Sequence, residues 1–166
     1  MLRFKFFLTI FFLSILTQQI GVIDLNYIIA NSKAGRELQK FFQQAEKSFA
    51  EFRESLEDPL KKESEEIQKL SATLSKEALA KRIETFKNKR SKAEQDISQK
   101  AKELETQILN RRKQFLALVK SAGEKISESK NIAILLDSSD VVYFSPNLNV
   151  SDEVIKIIDA SFNSKK

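Results

Sequence analysis

The side chains of this sequence that could carry chemistry are carboxylates, lysines and arginines, because it contains no histidine and no cysteine. Histidine is the side chain best suited to proton transfer near neutral pH, and it is the commonest metal ligand. Without cysteine there is no thiol catalysis, disulfide or zinc–thiolate site. Asp24, Asp137 and Asp140 have a spacing that fits no calcium loop, so we interpret them as turn and strand-end residues. The sequence predicts a protein that is not an enzyme and needs no metal and no cofactor.

A run of basic residues near the middle of the chain is the first candidate binding site. Between residues 76 and 92, seven cations stand against two acids, which predicts a surface that attracts acidic partners or an anionic membrane or lipopolysaccharide surface. The alternative is that the acidic residues of segment 51–66 neutralise it. Phe86 is the one aromatic residue here, so binding of nucleic acid by base stacking is not expected. The seven cations are Lys76, Lys81, Arg82, Lys87, Lys89, Arg90 and Lys92.

Phe41 and Pro59 are two further candidates in the first half of the same helical stretch. Phe41 lies beside the apolar seam described below, so we expect it to offer an apolar contact to a bound chain. Pro59 removes a backbone hydrogen bond and clashes with the preceding helical turn. We therefore expect a hinge there, the alternative being a kink without a function.

These candidates share one helical stretch, Ser32 to Lys130, which is too long for an ordinary globular helix. We place a turn near residues 71–75, where Ser75 can cap a new helix, and so predict an antiparallel helical hairpin over residues 32–125. If the turn centres on Thr73, the numbers of facing residues add to about 146. Apolar residues alternate in steps of four and three, as in a coiled coil. They are Leu38, Phe42, Ala45, Phe49, Phe52 and Leu56, then Leu79, Ile83, Phe86, Ala93, Ile97, Ala101, Leu104 and Ile108.

The two ends of the chain predict a small β-rich head formed by residues 20–31 and 126–166. We expect a first strand at residues 20–25, an antiparallel strand hairpin from 132–136 and 141–144, and a terminal helix capped by Ser151. Three short strands with two apolar faces cannot bury themselves, which favours self-association. The residues expected at this interface are Ile20, Val22, Ile23, Ile132, Ile134, Leu135, Leu136, Val142 and Phe144.

Residues 1–19 are typical of a signal peptide. Arg3 and Lys5 precede an apolar run that ends at Leu16, and this run is too short to span a bilayer comfortably. We predict export. The alternative is that the segment is retained as an anchor, which would make the protein a membrane-anchored coiled-coil scaffold of the cell envelope.

Both ends of the sequence resemble the Skp/OmpH family of periplasmic chaperones. The similar stretches are residues 20–25 with 31–35, and residues 135–143 with Ser145-Pro146 and 151–155. The resemblance implies an α+β homotrimer whose strands form a central barrel, with long coiled-coil hairpin arms around a cavity. It further implies a periplasmic holdase that binds unfolded outer-membrane proteins in that cavity without ATP.

Overall fold

The computed structural model describes residues 19–163, so the predicted signal peptide lies outside it except for Gln19. Within these residues there are two strands and four α-helices, a mostly helical arrangement with one small sheet. The elements are β1 (Gln19–Ile23), α1 (Leu25–Asn31), α2 (Lys33–Leu70), α3 (Lys76–Lys130), β2 (Ile132–Asp137) and α4 (Ser151–Asn163), with short 3₁₀ turns at Ser138–Asp140 and Pro146–Leu148.

Helices α2 and α3 form the antiparallel hairpin, and local capping explains where each begins. Ser32 accepts a hydrogen bond from the Gly35 amide at 3.0 Å, and Ser75 accepts one from the Ala78 amide at 3.2 Å. These hydroxyls satisfy first-turn amides that have no partner inside the helix. At its far end α3 stops at Asn131, whose φ of 55° lies in the left-handed region. The helix therefore runs to Lys130, beyond the predicted end of the arm at residue 125.

The apolar seam of α2 passes around Pro59. The partly buried residues Leu56, Leu60 and Glu63 follow Phe52, and Pro59 itself is exposed. The seam takes two consecutive steps of four residues, from Phe52 to Leu56 and from Leu56 to Leu60. Strict alternation of steps of four and three would instead place residue 59 in the seam. Two successive steps of four unwind a coiled coil locally. This irregularity beside Pro59 is a stutter, and the seam continues through Glu63.

Two details of the predicted seam were wrong. Ala101 is exposed, and the partly buried neighbour is Lys100. The register also departs from a constant sum: the numbers of the paired residues Glu66 and Arg82 add to 148, and those of Phe41 and Arg111 add to 152. A constant sum requires straight, parallel helices of equal rise. The numbers of Glu63 and Lys89, a pair near the tip, also add to 152, so these contacts lie beyond the predicted sum without a steady drift along the arm.

The sheet differs from the predicted strand hairpin. Strand β2 pairs in parallel with β1, with Val22 opposite Leu136, and the segment 141–144 contains no strand. Parallel pairing needs a long crossover between its strands, and the whole helical hairpin is that crossover. On the other side of β1, the Val150 amide donates to the Val22 carbonyl at 2.9 Å. Residues after the second strand therefore return to β1 and do not fold back on β2.

The core of the head lies between the sheet, the lower part of α3 and the short helices. Ile28, Val154 and Ile158 are buried there against Phe115 and Val119. These two α3 residues belong to the predicted arm, 32–125, but they pack in the head because the second arm helix is longer than the first. Among residues 19–163, no helix combines the length and the apolar character needed to cross a membrane.

Buried and half-buried polar side chains close the ends of the head elements. Asp24 caps α1 by accepting from the Tyr27 amide at 2.9 Å, and its own amide donates to the Ser151 hydroxyl at 2.9 Å. Ser151 does not cap α4 as predicted: it is the first residue of that helix, and its hydroxyl donates to the Asn149 side chain at 2.6 Å. The Ser151 hydroxyl thus accepts from the distant Asp24 amide and donates to the nearby Asn149 side chain, although the local pattern assigns it to a cap.

Candidate functional site

The basic run at the arm tip is partly neutralised by the facing helix. Arg82 pairs with Glu66 at 2.9 Å, and the Lys89 amine contacts both carboxylate oxygens of Glu63 at 2.9 Å. Arg90 pairs with Glu94 along its own helix at 2.8 Å. Within the described part of the chain, no carboxylate lies within 4.0 Å of the other four cations. These four are Lys76, Lys81, Lys87 and Lys92.

The net charge of the hairpin is more positive at its base than at its tip. Residues 51–92 carry eleven basic and nine acidic side chains, a net charge of +2. The base of the arm, residues 33–50 and 109–125, carries nine basic and three acidic side chains, a net charge of +6. Exposed charges of one sign within a Debye length reinforce each other. The base is therefore the more electropositive surface, although the sequence run at 76–92 is the more conspicuous.

A groove of about 1000 Å³ opens at this base, between the two arm helices and the end of α4. Leu38 and Phe115 are buried at its floor, and Leu118 and Phe162 are partly buried beside them. The groove forms because α3 continues into the head while α4 returns to pack against both arm helices. Its walls combine residues separated by more than a hundred positions, so no local pattern in the sequence could reveal it.

Phe41 lies in this groove and is not an isolated exposed ring. It packs edge-on against Phe42, with ring centroids 6.2 Å apart, and the Arg111 guanidinium lies 5.1 Å from its centroid. This is cation–π geometry. Sequence reasoning singled out Phe41 but missed Arg111. The basic run Arg111-Arg112-Lys113 is visible in the sequence, but the predicted sum of 146 places residue 105, and not Arg111, opposite Phe41.

The predicted interface residues of the head fall into two groups. Val22, Ile23 and Ile132 are buried within this chain's own core, and Leu135 packs on the bare backbone of Gly123. These four are therefore already covered in a single chain, because α3 lies over one face of the sheet. The members that remain exposed are Ile20, Ile134, Leu136 and Val142, while Phe144 is partly buried.

Several acidic residues of the head have structural partners, while the exposed Asp140 ends the 3₁₀ turn Ser138–Asp140. Burial alone would raise the pKa of Asp137, but hydrogen bonds from the Ser139 hydroxyl and amide and from the Leu25 amide outweigh it and lower the pKa below its ordinary value. A hydrogen bond from Lys130 lowers the pKa of Glu153. Among residues 19–163, no group of carboxylates has an arrangement that could hold a metal ion. Asp24 and Asp137 thus act as helix and turn caps, as their spacing indicates.

Comparison with known proteins gave one family and one fold. The model of the OmpH-like outer membrane protein family matches residues 19–158. A solved structure from Caulobacter crescentus CB15, described as a suggested OmpH-like outer membrane chaperone, aligns with a TM-score of 0.67 and 17% identity. The alignment covers 87% of this chain and 85% of that one, and at this identity it shows a shared fold. The search of curated proteins gave no significant match.

The family match covers β1, both arm helices, β2 and most of α4, so it includes the head and the arm together. The first strand, the helical hairpin, the second strand and the terminal helix follow one another in the sequence prediction and in the structure, whereas the predicted strand at 141–144 is absent from the structure. The chain therefore belongs to the OmpH-like outer membrane protein family.

Proposed function

We propose that this protein is a periplasmic, ATP-independent holdase chaperone. In this proposal it binds unfolded outer-membrane proteins, here called clients, between the helical arms of a homotrimer. The observation that carries the proposal is the family match over residues 19–158, which spans head and arm. The Caulobacter relative is itself described as a suggested outer membrane chaperone. The mechanism is binding without chemistry: many weak contacts on the arms retain the client through avidity.

The exposed apolar surface of the head supports assembly through the sheet. Ile134 is 53% exposed, Tyr143 is 82% exposed and Val142 is fully exposed. In the described part of the chain, no strand pairs with the outer edge of β2. An open apolar edge invites pairing with another chain, and closure of three copies into a barrel would remove it.

The open arms support a holding role. Both long helices bury one seam and leave their remaining faces in solvent, so each arm offers a long surface to a client. The four unpaired lysines at the tip are proposed to attract acidic segments or an anionic membrane surface, and Pro59 to let the arm bend. Such contacts contribute little individually, which suits a chaperone that must also release its client.

Aggregation suppression of an unfolded outer-membrane barrel protein tests the proposal. The client is diluted from urea into buffer with and without the chaperone, and light scattering is followed while mass photometry gives the assembly state. We expect trimers and a scattering signal that falls to background at about one trimer per client. A properly assembled trimer that leaves aggregation unchanged would refute the holdase role. A monomer that suppresses aggregation would refute the trimeric cavity.

A further inference from the structure

The groove at the arm base is suited to a particular kind of client segment. We propose that it binds a short apolar stretch of unfolded polypeptide that contains a carboxylate, with Arg111 pairing with the acid while the apolar side chains cover Phe41 and the groove floor. This inference rests on the proposed holdase function and identifies the ligand chemistry of one of its surfaces.

The apolar part of the argument comes from the size and lining of the groove. At about 1000 Å³ it lies at the upper end of the range of small-ligand pockets and can admit several side chains. Leu38 and Phe115 close its floor, and Phe41 and Leu118 are partly buried on its sides. A partner that places aliphatic or aromatic groups here removes apolar surface of both molecules from water.

The charged part of the argument comes from Arg111. Its guanidinium lies over the Phe41 ring at 5.1 Å, and within residues 19–163 no carboxylate pairs with it. The carboxylate in the groove lining, Glu37, already pairs with Lys40 at 3.6 Å. A guanidinium that contacts an aromatic ring and has no carboxylate partner retains N–H donors for bidentate binding of a carboxylate.

The charge of the surrounding surface favours a negatively charged segment over a positively charged one in the groove. The base of the arm has a net charge of +6 and α4 one of −2, which together give +4 around the groove, so an apolar segment carrying lysine or arginine would be repelled. The C-terminal residues that follow α4 include Lys165 and Lys166 and have the wrong sign to compensate Arg111. The complementary ligand is an apolar segment of negative charge, which the clients of the proposed function would supply.

Fluorescence anisotropy with three labelled ten-residue peptides tests this inference on the full-length protein. The first peptide contains two phenylalanines, two leucines and two aspartates. The second replaces the aspartates by lysine, and the third replaces the four apolar residues by serine. We expect the first peptide to bind at least about tenfold more tightly than either of the others, since each lacks one half of the recognition.

Charge reversal at two neighbouring arginines gives the matched control. Arg111→Glu should weaken binding of the first peptide by about tenfold, because it replaces an attraction by a repulsion. Arg112→Glu makes the same change in net charge, but Arg112 does not line the groove, so binding should weaken by no more than about twofold. The difference between the two variants should shrink at high salt.

The outcomes separate this inference from the proposed function. If the wild-type trimer suppresses aggregation but binds all three peptides equally, or if both arginine variants lose affinity equally, the groove inference is wrong and the holdase role stands. If the wild-type protein does not suppress aggregation, the holdase role fails, whatever the peptides show. Discrimination among peptides by wild type, lost with Arg111→Glu alone, supports the inference.

Discussion

Of the three glycines, Gly35 has the least room for a side chain, which makes Gly35→Ala a direct test of the packing of α1 on α2. A Cβ atom at this position would lie 2.2 Å from the Ile29 carbonyl oxygen and 2.6 Å from the Ile29 Cα. Ordinary contacts begin near 3.4 Å, so α1 and α2 must separate by about 1 Å. The obstructing atoms belong to the backbone, so no rotamer change can relieve the clash.

The expected cost follows from two opposing terms. Overpacking of a tight core costs about 1–3 kcal/mol, and backbone obstruction favours the upper end of that range. Alanine recovers up to about 1 kcal/mol through its better helix propensity. We therefore expect Gly35→Ala to lower the free energy of unfolding by about 2 kcal/mol. With a urea slope of about 1–3 kcal/mol/M, the unfolding midpoint should fall by about 1 M.

Gly123→Ala is the matched control, because it makes the same substitution inside a helix. There the new Cβ would meet the Leu135 Cδ2 atom at 2.8 Å, and that methyl group can move. Its cost is offset by the gain in helix propensity, so we expect stability within about 1 kcal/mol of wild type. Both tyrosines, Tyr27 and Tyr143, lie in the head, so tyrosine fluorescence in urea follows head unfolding.

The measurement should be made at one fixed protomer concentration, since the stability of an oligomer depends on concentration. A Gly35→Ala protein with the wild-type midpoint, or one as stable as Gly123→Ala, would refute the close packing of α1 on α2. It would also show that steric room for a side chain is not the reason for a glycine at residue 35.

Three further predictions concern the arm and the head. Pro59→Ala should stabilise α2 by up to about 3 kcal/mol locally and slow amide exchange over residues 55–63. Slow exchange throughout this segment in the wild-type protein would argue against a hinge. Lys89→Gln removes the pair with Glu63, whose side chain is 21% exposed, and should destabilise the tip by less than about 1 kcal/mol, seen as slightly faster amide exchange there. Lys87→Gln removes no pair and should leave amide exchange at the tip unchanged. Equal effects of the two substitutions would contradict the pairing. Hydrogen bonds lower the pKa of Asp137 in the folded state. The contribution of Asp137 to the free energy of unfolding is therefore complete above the ordinary aspartate pKa of about 3.9, and it is lost as the pH falls through the lower pKa of the folded state. The difference in urea midpoint between wild type and Asp137→Asn should therefore narrow below about pH 4, and a difference that widens with acid would contradict this sign.

Local periodicity was enough to predict the arm. The spacing from Leu38 to Leu56 and the cap at Ser75 define two helices and the turn between them, because capping and the rise per residue depend on neighbours in the chain. The stutter beside Pro59 is also visible in the sequence once the seam is followed through Glu63. The register was predicted less well, since equal rise implies a constant sum only for straight, parallel helices.

The pairing of charges depends on which helix faces which, and the sequence left two alternatives open at the tip. The structure pairs Arg82 and Lys89 with α2 and leaves four lysines without a carboxylate partner among the described residues. Side-chain reach and helix rotation decide this outcome, and neither can be read from composition. The same holds for the arm base, where Arg111 acquires its environment from Phe41 across the hairpin.

By itself, the amino-acid sequence determined the helical hairpin, the absence of histidine and cysteine chemistry, and the resemblance to the family. Only the tertiary structure decided that β1 pairs in parallel with β2, that segment 141–144 forms no strand, and that Phe41, Arg111 and Phe162 line one groove. The physical reason is range. Helix periodicity and caps are set within a few residues, whereas strand pairing and the groove depend on where a crossover of about a hundred residues returns the chain.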